Sequence, residues 1–350
     1  MYSRRADPRR SSLFPTAPDA PRFLTPEVHT SLVASCTERK RDAIPEELQL
    51  RSVTAGSLET RVKRWWERLQ RQPALSRYTA GQLYCGEHWT LAQRCVASLN
   101  SGGRSGSLWA ASAGYGLVPD HALLAPYSAT FAKGPDSVVG SNDKASRIEQ
   151  IQLWWNRLAT FEGPAPGPRS IRELAKRSPK GPILIVASPD YIRAMRADLL
   201  VARNELSSPE LLSVISNHDL LSDEALSPHL IPVDERSSTV LGIGTMQGLN
   251  ARVALRLIEE TQDGSLTAPR LQERYERMVR HAEKPVKPNR DRMGDQDVVE
   301  FLRSELTRNP RAGWTLLLRA LRQSGKACEQ NRFRELHKTI SEEILQTQKS

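Results

Sequence analysis

Cys36 and Lys40 stand four positions apart in the stretch Ser35-Cys36-Thr37-Glu38-Arg39-Lys40, directly behind the short apolar run Leu32-Val33-Ala34. A cysteine attacks as its thiolate, and nearby cations favour that form over the thiol. Two further stretches follow, Ala80-Gly81-Gln82-Leu83-Tyr84-Cys85-Gly86 and Ser112-Ala113-Gly114-Tyr115-Gly116-Leu117-Val118-Pro119. Open α/β sheets keep their chemistry where strands end. These stretches therefore point to a pocket containing Ser35, Cys36, Lys40, Tyr84, Gly86, Ser112, Tyr115 and Gly116. The competing reading of Cys36 is a buried, inert structural thiol.

Covalent attack by Cys36 needs a partner that moves protons. Asp190, just behind the apolar run Pro182-Ile183-Leu184-Ile185-Val186-Ala187-Ser188, is the candidate, with Asp120 and Tyr115 as others. A glycine-rich turn, Leu241-Gly242-Ile243-Gly244-Thr245-Met246-Gln247-Gly248-Leu249-Asn250, feeds a helix expected over 250–260. Free N–H groups in such a turn can hold a phosphate or a base, through Gly244, Thr245 and Asn250. A tight structural turn fits the same residues, which match neither a Walker motif nor a dinucleotide fingerprint. Cys85 and His88 have the spacing of half a zinc site, but no second pair lies at ligand spacing. Neither metal nor cofactor is expected.

The elements that must carry these residues alternate. Apolar runs at 32–36, 108–112 and 182–188 predict strands, a helix-turn-strand unit is expected over 211–215, 229–233 and 239–242, and helical periodicity predicts helices over 57–70, 146–159 and 191–203. A further loop and helix occupy 78–99. The Trp pairs at 65–66 and 154–155 fall on the apolar faces of their helices and are expected in the core. The fold class is α/β, a mainly parallel sheet with helices on both faces, plus a small C-terminal helical domain.

The 350 residues divide into a flexible basic tail over 1–26, the α/β domain over 27–260, a linker helix and polar linker over 261–295, and helices over 296–350. No apolar run reaches the length of a membrane helix, and the arginine-rich start lacks an apolar signal core. A cytoplasmic protein with no membrane partner is expected. Basic residues exceed acidic ones, 50 against 40, for a net charge of +10. That excess favours a polyanionic partner. Gln330, Asn331, Arg332 and Arg334, at the start of the last helix, are of the types that contact bases and phosphates; a packing role for these helices is the alternative.

The order strand-Ser-Cys-x-x-x-Lys, Leu-Tyr-x-Gly, and Ser-Ala-x-Tyr-Gly-Leu-Val-Pro with Pro126-Tyr127 beyond resembles the YaaA-like domains and the catalytic domain of archaeosine synthase. Cys36, Lys40, Ser112, Gly116, Val118 and Pro119 carry the resemblance, which covers roughly residues 30–135. Ala34-Ser35 stands where the family has Pro before its cysteine, and Asp120-His121-Ala122 replaces a Glu-rich run. The resemblance implies action on the nitrile of 7-cyano-7-deazaguanine within a nucleic acid. For this arginine-rich chain it implies DNA rather than RNA, an amide product, and partners among other proteins of a DNA-modification cluster. Thiolates add readily to nitriles to give a thioimidate, which water opens to the amide. A non-catalytic DNA-binding protein, or a glycosylase-like enzyme using Asp190 and the 242–250 turn, are the other readings.

Overall fold

The computed structural model describes residues 28–347 apart from 54–55, 73–74, 103, 141–144, 262–263 and 286–288. The tail expected over 1–26 lies outside the described residues. The chain forms two compact units, Met1–Glu283 and Lys284–Ser350.

The first unit is built on a six-stranded sheet. Its strands are β1 (His29–Ser35), β2 (Ser105–Ser112), β3 (Gly116–Pro119), β4 (Ile183–Val186), β5 (Leu212–Asn217) and β6 (Leu230–Val233), in the spatial order β3-β2-β1-β4-β5-β6. All neighbours pair in parallel except β2 and β3, which form an antiparallel hairpin. Leu32, Val33, Ala34 and all of β4 are buried, as strands covered on both faces require. The chain moves outward from β1 on one side to β2 and on the other to β4. The end of β1 is therefore the switch point of the sheet, where an open α/β fold leaves a crevice. Cys36 is the next residue, and its N–H extends the ladder to Ala111 O at 2.8 Å.

Local sequence explains the covering helices. Ser57 caps Leu58–Gln70 by accepting from Thr60 N, and Ser146 with Glu149 forms a capping box on Arg147–Ala159. Pro189 opens Pro189–Glu205, where its missing N–H costs nothing. Trp65 and Trp154 are fully buried, as expected for their helix faces. Each indole N–H is also bonded, Trp65 Nε1 donating to Gly114 O at 2.9 Å and Trp154 Nε1 to Ala113 O at 2.7 Å. Together they fix the turn of the β2–β3 hairpin.

Four expectations change. The helix and turn expected over 211–215 and 229–233 fall largely in the strands β5 and β6, which pair with each other in parallel. Residues 239–242 are not a strand: the helix Arg236–Leu241 ends there, with Gly242 turning at φ +72°. The glycine loop therefore joins two helices, the second being Leu249–Glu259. Gly116–Pro119 is a strand rather than a loop, because its four residues pair with Trp109–Ser112. The segment 261–295 is not simply a linker. Its helix Ala268–Val279 buries Leu271, Tyr275 and Val279 in the main core, and Tyr275 Oη accepts from Asp234 N at 2.9 Å.

The second unit contains the helices Asp295–Arg308, Trp314–Gln323 and Gln330–Thr347. Val298, Leu302, Leu306, Leu321, Phe333 and Ile340 form a core of its own. Among the described residues, no helix is long and apolar enough to cross a membrane.

Candidate active site

Cys36 Sγ is ringed by phenols. Tyr127 Oη donates to it at 3.3 Å and Tyr191 Oη lies at 3.2 Å. Tyr127 is in turn held by Tyr84 Oη at 3.0 Å and Ser112 Oγ at 2.6 Å. Ser112 Oγ accepts from the N–H groups of Gly114 and Tyr115, so its own hydrogen is left for Tyr127. That relay leaves the Tyr127 hydrogen pointing at sulfur. Burial, reinforced by the proximity of Cys36, pushes all three phenols above their ordinary value, so they stay protonated donors.

Backbone geometry holds the ring in place. A Cβ on Gly114 would overlap Tyr127 Cε2, so only glycine lets the ring pack there. Tyr191 meets Phe131 edge-on at 5.0 Å. Lys40 is buried with Nζ 4.5 Å from the centre of the Tyr127 ring, and donates to the carbonyls of Thr37 at 2.5 Å and Glu38 at 3.2 Å. Burial lowers its pKa from the ordinary 10.5, while nearby Cys36 acts in the opposite direction.

Cys36, Thr37, Glu38 and Tyr191 line two cavities. One, of about 410 Å³, lies over the ends of β1, β4, β5 and β6 and includes Ser35, His88, Asn217, Gln247 and Asn250. The other, of about 240 Å³, runs under residues 128–136 and includes Lys40, Lys133 and Asp136. In the larger one, Ser35 Oγ meets His88 Nε2 at 3.2 Å. Burial pushes His88 down to about 4, so it is neutral near pH 7. Asn250 Nδ2 donates to Ala187 O at 3.0 Å.

The sequence-derived residues divide into three groups. Cys36, Ser35 and Asn250 line the larger cavity, and Lys40 lines the smaller. Tyr84 and Ser112 reach the sulfur only through Tyr127. Gly86, at φ +108°, makes the turn into the helix Glu87–Ser101, and Gly116 packs on Leu158. Tyr115 Oη is occupied by the backbone of Ala125, accepting from its N–H at 3.1 Å.

The carboxylates fall elsewhere. Asp190 stands between Arg147, at 3.2 Å, and Arg193, at 3.4 Å, and is not among the residues lining either cavity. Asp120 N bonds Leu108 O, opposite Leu32, which puts Asp120 four strand positions from Cys36, or about 13 Å along the sheet. Its carboxylate sits beside His121, well exposed.

The glycine loop holds an anion from its own chain. Glu87 Oε2 accepts from Thr245 N at 2.7 Å, and a Cβ on Gly244 or Gly248 would lie 2.6 or 2.8 Å from Glu87 atoms. Gly244 and Thr245 therefore face Glu87 rather than a phosphate. In the last helix, Glu329 caps the N-terminus by accepting from Asn331 N and Arg332 N, and Arg332 is paired with Asp295. Gln330, Asn331 and Arg334 remain exposed.

Sequence reasoning gave no role to Tyr127, Tyr191, His88 or Glu38. Tyr127 was visible in Pro126-Tyr127, but nothing local links it to a cysteine 91 residues away. Among the described residues, no group of side chains could hold a metal ion. Comparison of the chain with protein-family models, curated proteins and solved structures gives no match.

Proposed function

We propose that the chain is a cysteine-dependent enzyme that adds water to the nitrile of 7-cyano-7-deazaguanine carried in DNA, releasing the amide. The observation that carries this reading is Cys36 Sγ at the sheet's switch point, between two protonated phenols and open to a cavity of about 410 Å³. That volume is of the size used for small ligands and suits one base turned out of a strand. The net charge of +10 and the exposed Gln330, Asn331 and Arg334 support a nucleic-acid partner.

In this reading the Cys36 thiolate attacks the nitrile carbon and a C–S bond forms. One π pair moves to nitrogen, which takes a proton from Tyr191 Oη, giving a thioimidate. Tyr191 suits this step because it lines both cavities and is held neutral by burial. Water then adds to the same carbon, with Glu38, a carboxylate that lines both cavities, to orient it. One water proton completes the NH₂ group and the other restores Tyr191. The C–S pair returns to sulfur and the amide departs. Lys40 and the Tyr127 hydroxyl stabilise the sulfur anion at both ends of the cycle.

Nucleoside mass spectrometry tests the reaction on an oligodeoxynucleotide bearing a single 7-cyano-7-deazaguanine. Gain of one water by that nucleoside, dependent on the protein, is the expected result. An unchanged nitrile under conditions where the protein binds the oligonucleotide would overturn the assignment.

A further inference from the structure

The second unit separates its charges along the chain. The helix Asp295–Arg308 carries four acidic residues and Gln330–Thr347 three, whereas residues 306–328, which contain the helix Trp314–Gln323, hold four Arg, one Lys and no Asp or Glu. Three of those cations have a carboxylate beside them. Arg308 pairs with Glu305 at 3.1 Å, Lys326 pairs with Asp291 at 3.2 Å, and Glu329 lies in the field of Arg322. Arg311 and Arg319 differ. Among the described residues, neither has a carboxylate within ion-pair reach, and both are exposed.

Helical spacing turns Leu317, Leu318 and Leu321 into the unit's core and leaves Leu316, Arg319, Ala320 and Gln323 on the opposite side. Leu316 is 58% exposed within that face. The turn that sets Arg311 at the head of the helix is fixed from both sides, Asn309 Oδ1 accepting from Arg311 N at 3.3 Å and His337 Nε2 donating to Ala312 O at 2.9 Å.

We infer that the face formed by Leu316, Arg319 and Gln323 lies in the major groove of duplex DNA, with Arg311 on a flanking phosphate. The inference rests on the proposed reading only in taking DNA as the partner, and needs no nitrile chemistry. A helix that follows a tight turn fits that groove. Arginine forks onto guanine or phosphate, glutamine reads adenine, and an apolar side chain such as Leu316 meets the thymine methyl group. The local charge selects a polyanion, since this helix adds cations and no carboxylate to its surface. An RNA duplex fits poorly, because its major groove is too deep and narrow to admit a helix. A protein partner fits poorly as well: stable interfaces seat several apolar anchors at their centre, and this face offers one leucine. The fixed turn orders Arg311 beforehand, so little freedom is lost on contact.

Fluorescence anisotropy of the full chain on labelled duplex DNA, taken through a salt titration, tests the assignment. Arg319→Ala and Arg311→Ala should each weaken binding about fivefold or more and reduce the slope of log affinity against log salt by about one. Arg303→Ala removes the same charge from the first helix of the unit, where Glu343 pairs with it, and should stay within about twofold of the parent. Both test arginines are exposed, so thermal melts should not move. Equal losses from Arg303→Ala and Arg319→Ala, or none from Arg319→Ala, overturn the assignment. Groove-binding dyes give a second measurement on the parent protein. Methyl green, a major-groove ligand, should be displaced from the duplex, and distamycin, a minor-groove ligand, should stay. Displacement of distamycin alone, or of neither, overturns the placement, as does an RNA duplex of the same sequence bound as tightly as the DNA. If these results hold while the nitrile stays unconverted, the catalytic reading fails and this one stands. If the nitrile is converted while DNA binding ignores Arg311 and Arg319, the reverse is true.

Discussion

The hydroxyl of Tyr127 bridges Ser112 and Cys36, at 2.6 Å from Ser112 Oγ and 3.3 Å from Cys36 Sγ. Because Ser112 Oγ already accepts from two backbone N–H groups, the chain of donors runs from Ser112 through Tyr127 to sulfur. Tyr127→Phe removes the donor and keeps the ring. It should lower kcat by about 100-fold, the usual cost of losing one donor to a developing charge, with KM changed little. Steady-state kinetics on the nitrile oligonucleotide checks this; unchanged kcat would make the bridge a packing feature.

His88 gives the fold a pH dependence. Its folded pKa, about 4, lies below its ordinary 6.5 because burial opposes the charged ring. Between those values the unfolded chain binds a proton that the folded chain does not, so stability falls as pH drops from 6.5 toward 4. The fall is about 3 kcal/mol in total from this residue. Thermal melts of the parent should therefore decline across that window, while His88→Gln should show a shallower decline there. Parallel curves would contradict the assignment.

Asp190→Asn separates the expectation drawn from sequence from the observed geometry. The carboxylate is occupied by Arg147 and Arg193 and lines neither cavity. Its removal should leave kcat within about threefold, whereas loss of a general acid costs about 100-fold or more. Side by side with Tyr191→Phe, for which the large loss is expected, the kinetics identify the proton donor.

The parallel sheet was legible because its strands are apolar runs with little else in them, Leu32-Val33-Ala34 and Ile183-Leu184-Ile185-Val186 above all. Cys36 was legible for the same reason, being the first residue past a buried strand. The phenols around it were not, since Tyr127 and Tyr191 reach the sulfur from 91 and 155 residues away, across loops that no local periodicity describes. The glycines at 244 and 248 leave room for a close approach, but the approaching group is Glu87, more than 150 residues earlier, and no local signal links the two. The arginines beside Asp190 were not legible either, and a carboxylate in the first turn of a helix can serve the helix dipole and two arginines as well as chemistry.

Mass spectrometry of the Cys36 peptide tests the central claim most directly. The protein is mixed with the oligodeoxynucleotide bearing 7-cyano-7-deazaguanine, quenched in acid and digested. A thioimidate joining Cys36 to the modified nucleotide is expected, together with its disappearance, and loss of turnover, in Cys36→Ser, whose hydroxyl is far less ionised near pH 7. Full conversion of the nitrile by Cys36→Ser, with no adduct on the parent's Cys36 peptide, would contradict a nucleophilic role and leave Cys36 a buried structural thiol.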